Sequence, residues 1–215
     1  MTLVVAVLAV EGQPADVTPV LEPMQLPAAE TSGGMPLMEA LRARRSDREY
    51  TREGLTRQEL ANLLWAGFGV NRPESGKRTA PSAMGWEDID IYVVLEEGAY
   101  RYDADNHRLE PVAAGDLRGA TGSQELVTEV PLNLVYVSDG ARMGASAELR
   151  DLYAGMHAGL ISQNVSLYCA AAGLGTVVRG RIDRDAIAAA LKLRPGQRVV
   201  FAQSVGHRAA GGPRT

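Results

Sequence analysis

Five consecutive residues, Arg44-Arg45-Ser46-Asp47-Arg48, bring three guanidinium groups and a hydroxyl together directly after an apolar run. A phosphate ester needs two or more fixed cations, and arginine forks supply them with defined geometry. The competing reading is a solvated helix end, where arginine is favoured by the helix dipole. A second stretch, Arg78 to Trp86 (RTAPSAMGW), is small, polar and fixed by proline just ahead of a strand-like run. It is either an ordinary loop or one that offers backbone amides and hydroxyls to a flat ligand. A third, Thr176-Val177-Val178-Arg179-Gly180, follows a long helical pattern, and its Arg179 is either a pocket lining or a surface charge.

Other chemistries find little support. Cys169, the single cysteine, lies in the apolar run LYCAAAGLG and reads as a small buried hydrophobe rather than a nucleophile. His107, His157 and His207 are widely separated and belong to no spaced Cys/His ligand set, so no metal site is expected. Neither a dinucleotide GxGxxG string, nor a phosphate-binding GxxxxGK[ST] loop, nor a GxSxG elbow is present. A net charge of −4 gives no basic excess, so no nucleic-acid partner is expected and any anion site must be local.

The elements that must position these residues can be read from periodicity. At 215 residues and 46% hydrophobic, the chain is large enough for one well-buried domain. Leu3 to Val10 has the apolar character of a signal-peptide core without a basic stretch before it, and is too short to span a bilayer. Two readings stay open: part of an export signal, placing the protein in the periplasm, or an apolar arm on a cytoplasmic protein. Residues 11–34 are proline-rich and aperiodic, as in a linker or wrapping arm, so the division is a 1–34 segment and a 35–215 domain.

Within that domain, Pro36 to Arg45 predicts a short helix with Leu37, Met38 and Leu41 on one side. Thr56 and Glu59 form a capping-box pattern ahead of a helix over 57–67. Residues 89–95, 99–102 and 108–112 read as strands joined by turns, 116–121 as a helical turn, and 130–137 as a central strand. The longest helical signal runs over 147–172, with Leu149, Leu152, Met156 and Leu160 recurring at steps of three and four as a core-facing or dimer-seam stripe. Residues 176–178 are a short strand or bridging loop, Asp183 caps a helix, and 198–205 is the last strand. Interspersed helices and strands favour a layered α/β or α+β architecture.

Taken in order, RRSDREY, LLWAGFGVNR, RTAPSAMGWEDIDIYVV and QNVSLYCAAAGLGTVVRG resemble the nitroreductase family, and within it the branch holding the thiazoline and oxazoline dehydrogenases. The resemblance covers about residues 35–208. It implies an α+β fold, a central mixed or antiparallel sheet wrapped by helices, in an intertwined homodimer with FMN at the subunit interface. By the same resemblance, Arg44, Arg45 and Ser46 hold the phosphate and ribityl chain, and Arg48 approaches the pyrimidine edge. Pro81, Ser82, Ala83 and Met84 come from the opposite subunit, and Val177, Val178, Arg179 and Gly180 lie against the ring. Arg208 is the favoured basic residue of the tail, ahead of His207 and Arg214. The implied activity is hydride transfer from NAD(P)H through FMN to nitroaromatic or quinone-like acceptors, with no protein general acid named. An azoline-type dehydrogenase and a non-catalytic flavin-binding protein are the alternatives.

Overall fold

Thr56 begins the second helix as the sequence predicts: its hydroxyl accepts from the Glu59 N–H at 3.1 Å, and the Glu59 carboxylate accepts from the Thr56 N–H at 2.7 Å. Such reciprocal capping satisfies two of the amide groups that a helix start leaves unpaired. The computed structural model describes residues 20–209. The apolar segment 3–10 and Arg214 therefore lie outside the described residues. Within them the chain forms β1 (Met24–Gln25), α1 (Leu37–Ala43), α2 (Arg57–Phe68), and the hairpin β2 (Val70–Arg72) and β3 (Lys77–Arg78). It continues through β4 (Ile89–Val94), β5 (Gly98–Asp103), β6 (Arg108–Ala114), α3 (Leu126–Glu129), β7 (Leu132–Asp139) and α4 (Ala147–Ala171). The remaining elements are β8 (Leu174–Arg179), α5 (Arg184–Ala190) and β9 (Gln197–His207).

Seven of the strands make one sheet in the order β1-β6-β5-β4-β7-β9-β8, and each of its ladders is antiparallel. Every residue of β7 is buried, as a central strand covered on both faces must be. Alternation divides its side chains. Leu132, Leu134 and Tyr136 join Ile89, Ile91 and Val93 in a core with α2 and α4, while Val135 and Val137 join Tyr92, Val199 and Ile187 beneath α5. Each fully buried Leu or Ile there contributes about 1.5–3 kcal/mol. No helix among the described residues is long and apolar enough to cross a membrane.

Three features bear on the site, and the second departs from the sequence reading. Residues 20–34 lie against the body: β1 pairs with β6, Leu26 is buried in the main core and Leu21 packs against it. The first helix stops at Ala43, so the arginine cluster lies in the extended segment beyond it, and Leu37, Met38 and Leu41 are exposed while Ala40 is buried. On α4 the inward face is Ala154, His157, Ala158, Ile161, Val165 and Cys169, whereas Leu149, Leu152, Met156 and Leu160 face outward. α2 crosses closely against that face at its own Gly67, where a Cβ would lie 3.0 Å from Val165 Cγ2.

Candidate flavin-binding site

The 44–48 segment reaches the sheet through Asp47, whose N–H donates to the Thr176 carbonyl at 2.9 Å. Three residues on, Tyr50 bridges Arg208, and its hydroxyl donates to the Asp47 carbonyl. The arginine segment, the start of β8 and the end of β9 are thereby tied into one corner at the C-terminal end of α4. Burial, aided by the Asp47 charge, raises the Tyr50 phenol well above its usual range, so it stays a neutral donor. Burial likewise pushes up the Cys169 thiol, which is fully enclosed and behaves as the hydrophobe that its sequence context predicts.

Asp47 organises the cations of this corner. One carboxylate oxygen accepts from Arg45 Nε at 2.8 Å and the other from Arg208 Nε at 3.1 Å. Both guanidiniums therefore sit side by side, and their terminal nitrogens make no hydrogen bond among the described residues. Arg44, Ser46 and Arg48 are exposed around them. Such a group fits a phosphate: several cations, two of them pre-positioned by a shared anion, with donors still unused.

The outer edge of β8 adds a second feature, because β8 ends the sheet. Thr176 turns its carbonyl outward to Asp47, and alternation sends the backbone groups of Val178 to that same edge. Val178 is 44% exposed, and a Cβ on Gly180 would meet nothing within 4 Å, so a flat ligand could approach there.

Arg179 is neither a surface charge nor a side chain free to meet a ligand. It is 5% exposed, and its guanidinium donates to the Thr121 carbonyl at 2.7 Å, to Asn133 Oδ1 at 2.8 Å and to Ser204 Oγ at 3.0 Å. Burial lowers its pKa to about 10, still leaving it charged at neutral pH. Gly122 makes the room, since a Cβ there would lie 2.4 Å from Arg179 Nη1. The side chain thus ties β8 to β7, β9 and the turn at 118–121, stiffening the edge from behind.

The residues 81–84 lie elsewhere in the same protomer. Ala83 and Met84 form a short 3₁₀ turn with Gly85, and Ala83 N–H donates to His157 Nε2 at 2.9 Å. His157 and Cys169, which mark the two regions, are about 18 Å apart along α4 at 1.5 Å per residue. Met84 is 86% exposed, and a cleft of about 400 Å³ runs beside it, lined also by Arg72, Lys77 and Arg78. The structure therefore brings Arg45, Arg208 and the β8 edge together and holds Pro81, Ser82, Ala83 and Met84 apart from them.

Asp47, Tyr50, Asp88 and His157 were not singled out by sequence reasoning. Only Asp47 left a signal, a lone carboxylate among three arginines.

Comparison with known proteins agrees with this architecture. The model of the Nitroreductase family matches residues 41–207. The Methanocaldococcus jannaschii protein MJ1384, which carries a provisional nitroreductase name, is 32% identical over 182 residues, covering 80% of this chain and 90% of its own. A crystal structure from Ralstonia eutropha JMP134, also provisionally named a nitroreductase, is 42% identical with a TM-score of 0.84, covering 87% of this chain and 90% of its own. A more distant structure from Desulfovibrio desulfuricans, in complex with FMN, is 23% identical with a TM-score of 0.60, covering 85% and 92%. The chain belongs to the nitroreductase family.

Proposed function

We propose that this member of an oxidoreductase family is an FMN-dependent homodimer that accepts hydride from NADH or NADPH and passes electrons to a nitroaromatic, quinone or similar acceptor. The observation that carries the reading is the Asp47 carboxylate holding Arg45 and Arg208 together beside Arg44, Ser46 and Arg48. That corner suits the phosphate and ribityl end of FMN, and the open edge at Val178 and Gly180 suits the ring. A neighbour of the same fold that holds FMN supports the choice of flavin.

When bound, FMN supplies the hydride chemistry, so the chain needs no acid or nucleophile of its own. Its residues bind, orient and polarise. Arg44, Arg45 and Arg208 neutralise the phosphate, Arg48 provides a cation at the pyrimidine edge, and outward backbone amides of β8 are available as donors to the ring. Arg179 contributes from inside by holding β8 in place, not by charge at the ring.

The separation of residues 81–84 from the phosphate corner supports a second subunit, because a site needing both must draw them from two chains. So does the outward apolar stripe of α4. Leu149, Leu152, Met156 and Leu160, with Leu37 and Met38 on α1, leave large hydrophobic side chains on neighbouring helices without cover in one protomer.

A visible spectrum of the purified protein, with FMN added, before and after anaerobic NADPH or NADH, tests the activity. Flavin bands that bleach support the reading, whereas bound flavin that neither nicotinamide reduces transfers it to an azoline-type donor or a binding protein. Arg44→Ala combined with Arg45→Ala removes two charge-assisted contacts and is expected to weaken FMN binding at least about a hundredfold with the fold intact. Stoichiometric FMN retained by that double variant would place the phosphate elsewhere.

A further inference from the structure

The loop of residues 81–85 holds a conformation that its own sequence does not favour. Met84 lies at φ 54° and Gly85 at φ 68°, and no residue of the turn is buried. A side-chain-bearing residue in the left-handed region persists when its surroundings over-determine it. The surroundings here are a chain of buried polar groups that has no part in the phosphate corner.

Its centre is His157, 2% exposed on α4, facing Asp88, which is fully buried just before β4. His157 Nε2 lies 2.9 Å from Ala83 N. A backbone amide can only donate, so Nε2 carries the lone pair and the ring proton is on Nδ1. That proton points at Asp88 Oδ1, 2.5 Å away. Asp88 Oδ2 accepts from the Ser138 hydroxyl at 3.0 Å, and the Asp88 carbonyl accepts from the Asp139 amide at 2.7 Å. Every group in the sequence Ser138, Asp88, His157, Ala83 thus has one assigned sense. On the far side of the turn, Trp86 packs edge-on against Tyr153 with ring centroids 5.1 Å apart.

We infer that His157 is a positioning residue: held in its Nδ1–H tautomer by Asp88 and Ser138, it anchors the Ala83 amide and so fixes the shape in which residues 81–84 are offered to the flavin of the partner subunit. The anchor stands on the distances alone; its consequence for the flavin rests on the placement of the loop argued under the proposed function. Second-sphere partners that set an imidazole tautomer act in this way, through orientation.

Three substitutions in the full-length chain separate the acceptor from mere bulk. Asp88→Leu leaves Nδ1–H without an acceptor, so the ring loses the partner that holds its tautomer and orientation. His157→Leu fills the space without an acceptor. His157→Gln restores an acceptor at the reach of Nε2. Hydrogen–deuterium exchange on the FMN-free protein reads the loop, imidazole ¹⁵N shifts read the tautomer, and an FMN titration reads the site.

The Nδ1–H form is expected in the unaltered protein. In Asp88→Leu and His157→Leu, the Ala83 amide should exchange about tenfold faster, with a similar loss of FMN affinity, and His157→Gln should recover both. If Asp88→Leu does not fold, the two His157 variants carry the comparison. An Nε2–H tautomer, or unchanged exchange in His157→Leu, overturns the anchor. Faster exchange with unchanged FMN affinity overturns the link to the flavin and removes this loop from the site, while the phosphate corner is judged separately by the Arg44→Ala, Arg45→Ala double variant.

Discussion

Arg179 and Arg45 carry the same charge, yet their surroundings give them opposite tasks. Arg45 shares Asp47 with Arg208, and its terminal nitrogens make no hydrogen bond among the described residues, so they are available to an anion. Arg179 spends its donors on Thr121, Asn133 and Ser204 inside the protein. Removing a buried charged donor strands its acceptors, so Arg179→Met should cost about 3 kcal/mol. In a chain of this length that lowers Tm by about 6–12 °C. Thermal and urea unfolding would check it, and the folded fraction should still take up FMN. A variant of unchanged stability that binds no flavin would instead make Arg179 a ligand. Sequence shows the residue but not this difference, because TVVRG reads identically whether its arginine points outward or inward. His157 was hidden for the same reason: a single histidine on a helix signals nothing until Asp88, 69 positions away in the chain, is brought against it.

Elements were more legible than side-chain roles, for reasons that the elements themselves show. The α2 start is written in a local code of Thr56 and Glu59, and the β4 and β7 strands in their runs of β-branched and apolar residues. Features requiring a distant partner were not readable: a docked arm at Leu21 to Leu26, a β8 running from Leu174 to Arg179, and the outward turn of the α4 leucines. Strand β8 carries the consequence. Its Gly175 lies where Asp47, Tyr50 and Arg208 close over the strand, and a Cβ there would be 3.1 Å from Asp47 Cβ and from Arg208 Cγ. Gly175→Ala should therefore spread the clamp by a few tenths of an ångström, and Gly175→Val should spread it further. Overpacking of this kind costs about 1–3 kcal/mol, here taken largely from the phosphate corner. Isothermal titration with FMN should show affinity falling from glycine through alanine to valine, by more than stability falls. Equal affinity in all three would mean that the corner does not hold the flavin.

At the scale of the whole molecule, one protomer leaves two things unfinished: its candidate site residues lie beside two separate stretches of α4, and that long helix turns leucines and a methionine to the outside. On the reading proposed above, one act, pairing with a second copy, would complete both. The outward face is a sound place to test this because it contributes little to the monomer. Leu152 is 64% exposed and Met156 is 44% exposed, one helical turn apart. Substituting exposed positions ordinarily changes stability by less than about 0.5 kcal/mol. Leu152→Glu with Met156→Glu should thus fold normally if the chain is a monomer. If the stripe is a seam, the four acidic side chains of two such copies repel across it, and sedimentation velocity should report half the original mass. Flavin content then decides what the seam is for: a monomeric variant that has lost FMN makes the site a product of two chains, whereas one that keeps it stoichiometrically places all the necessary residues in a single protomer.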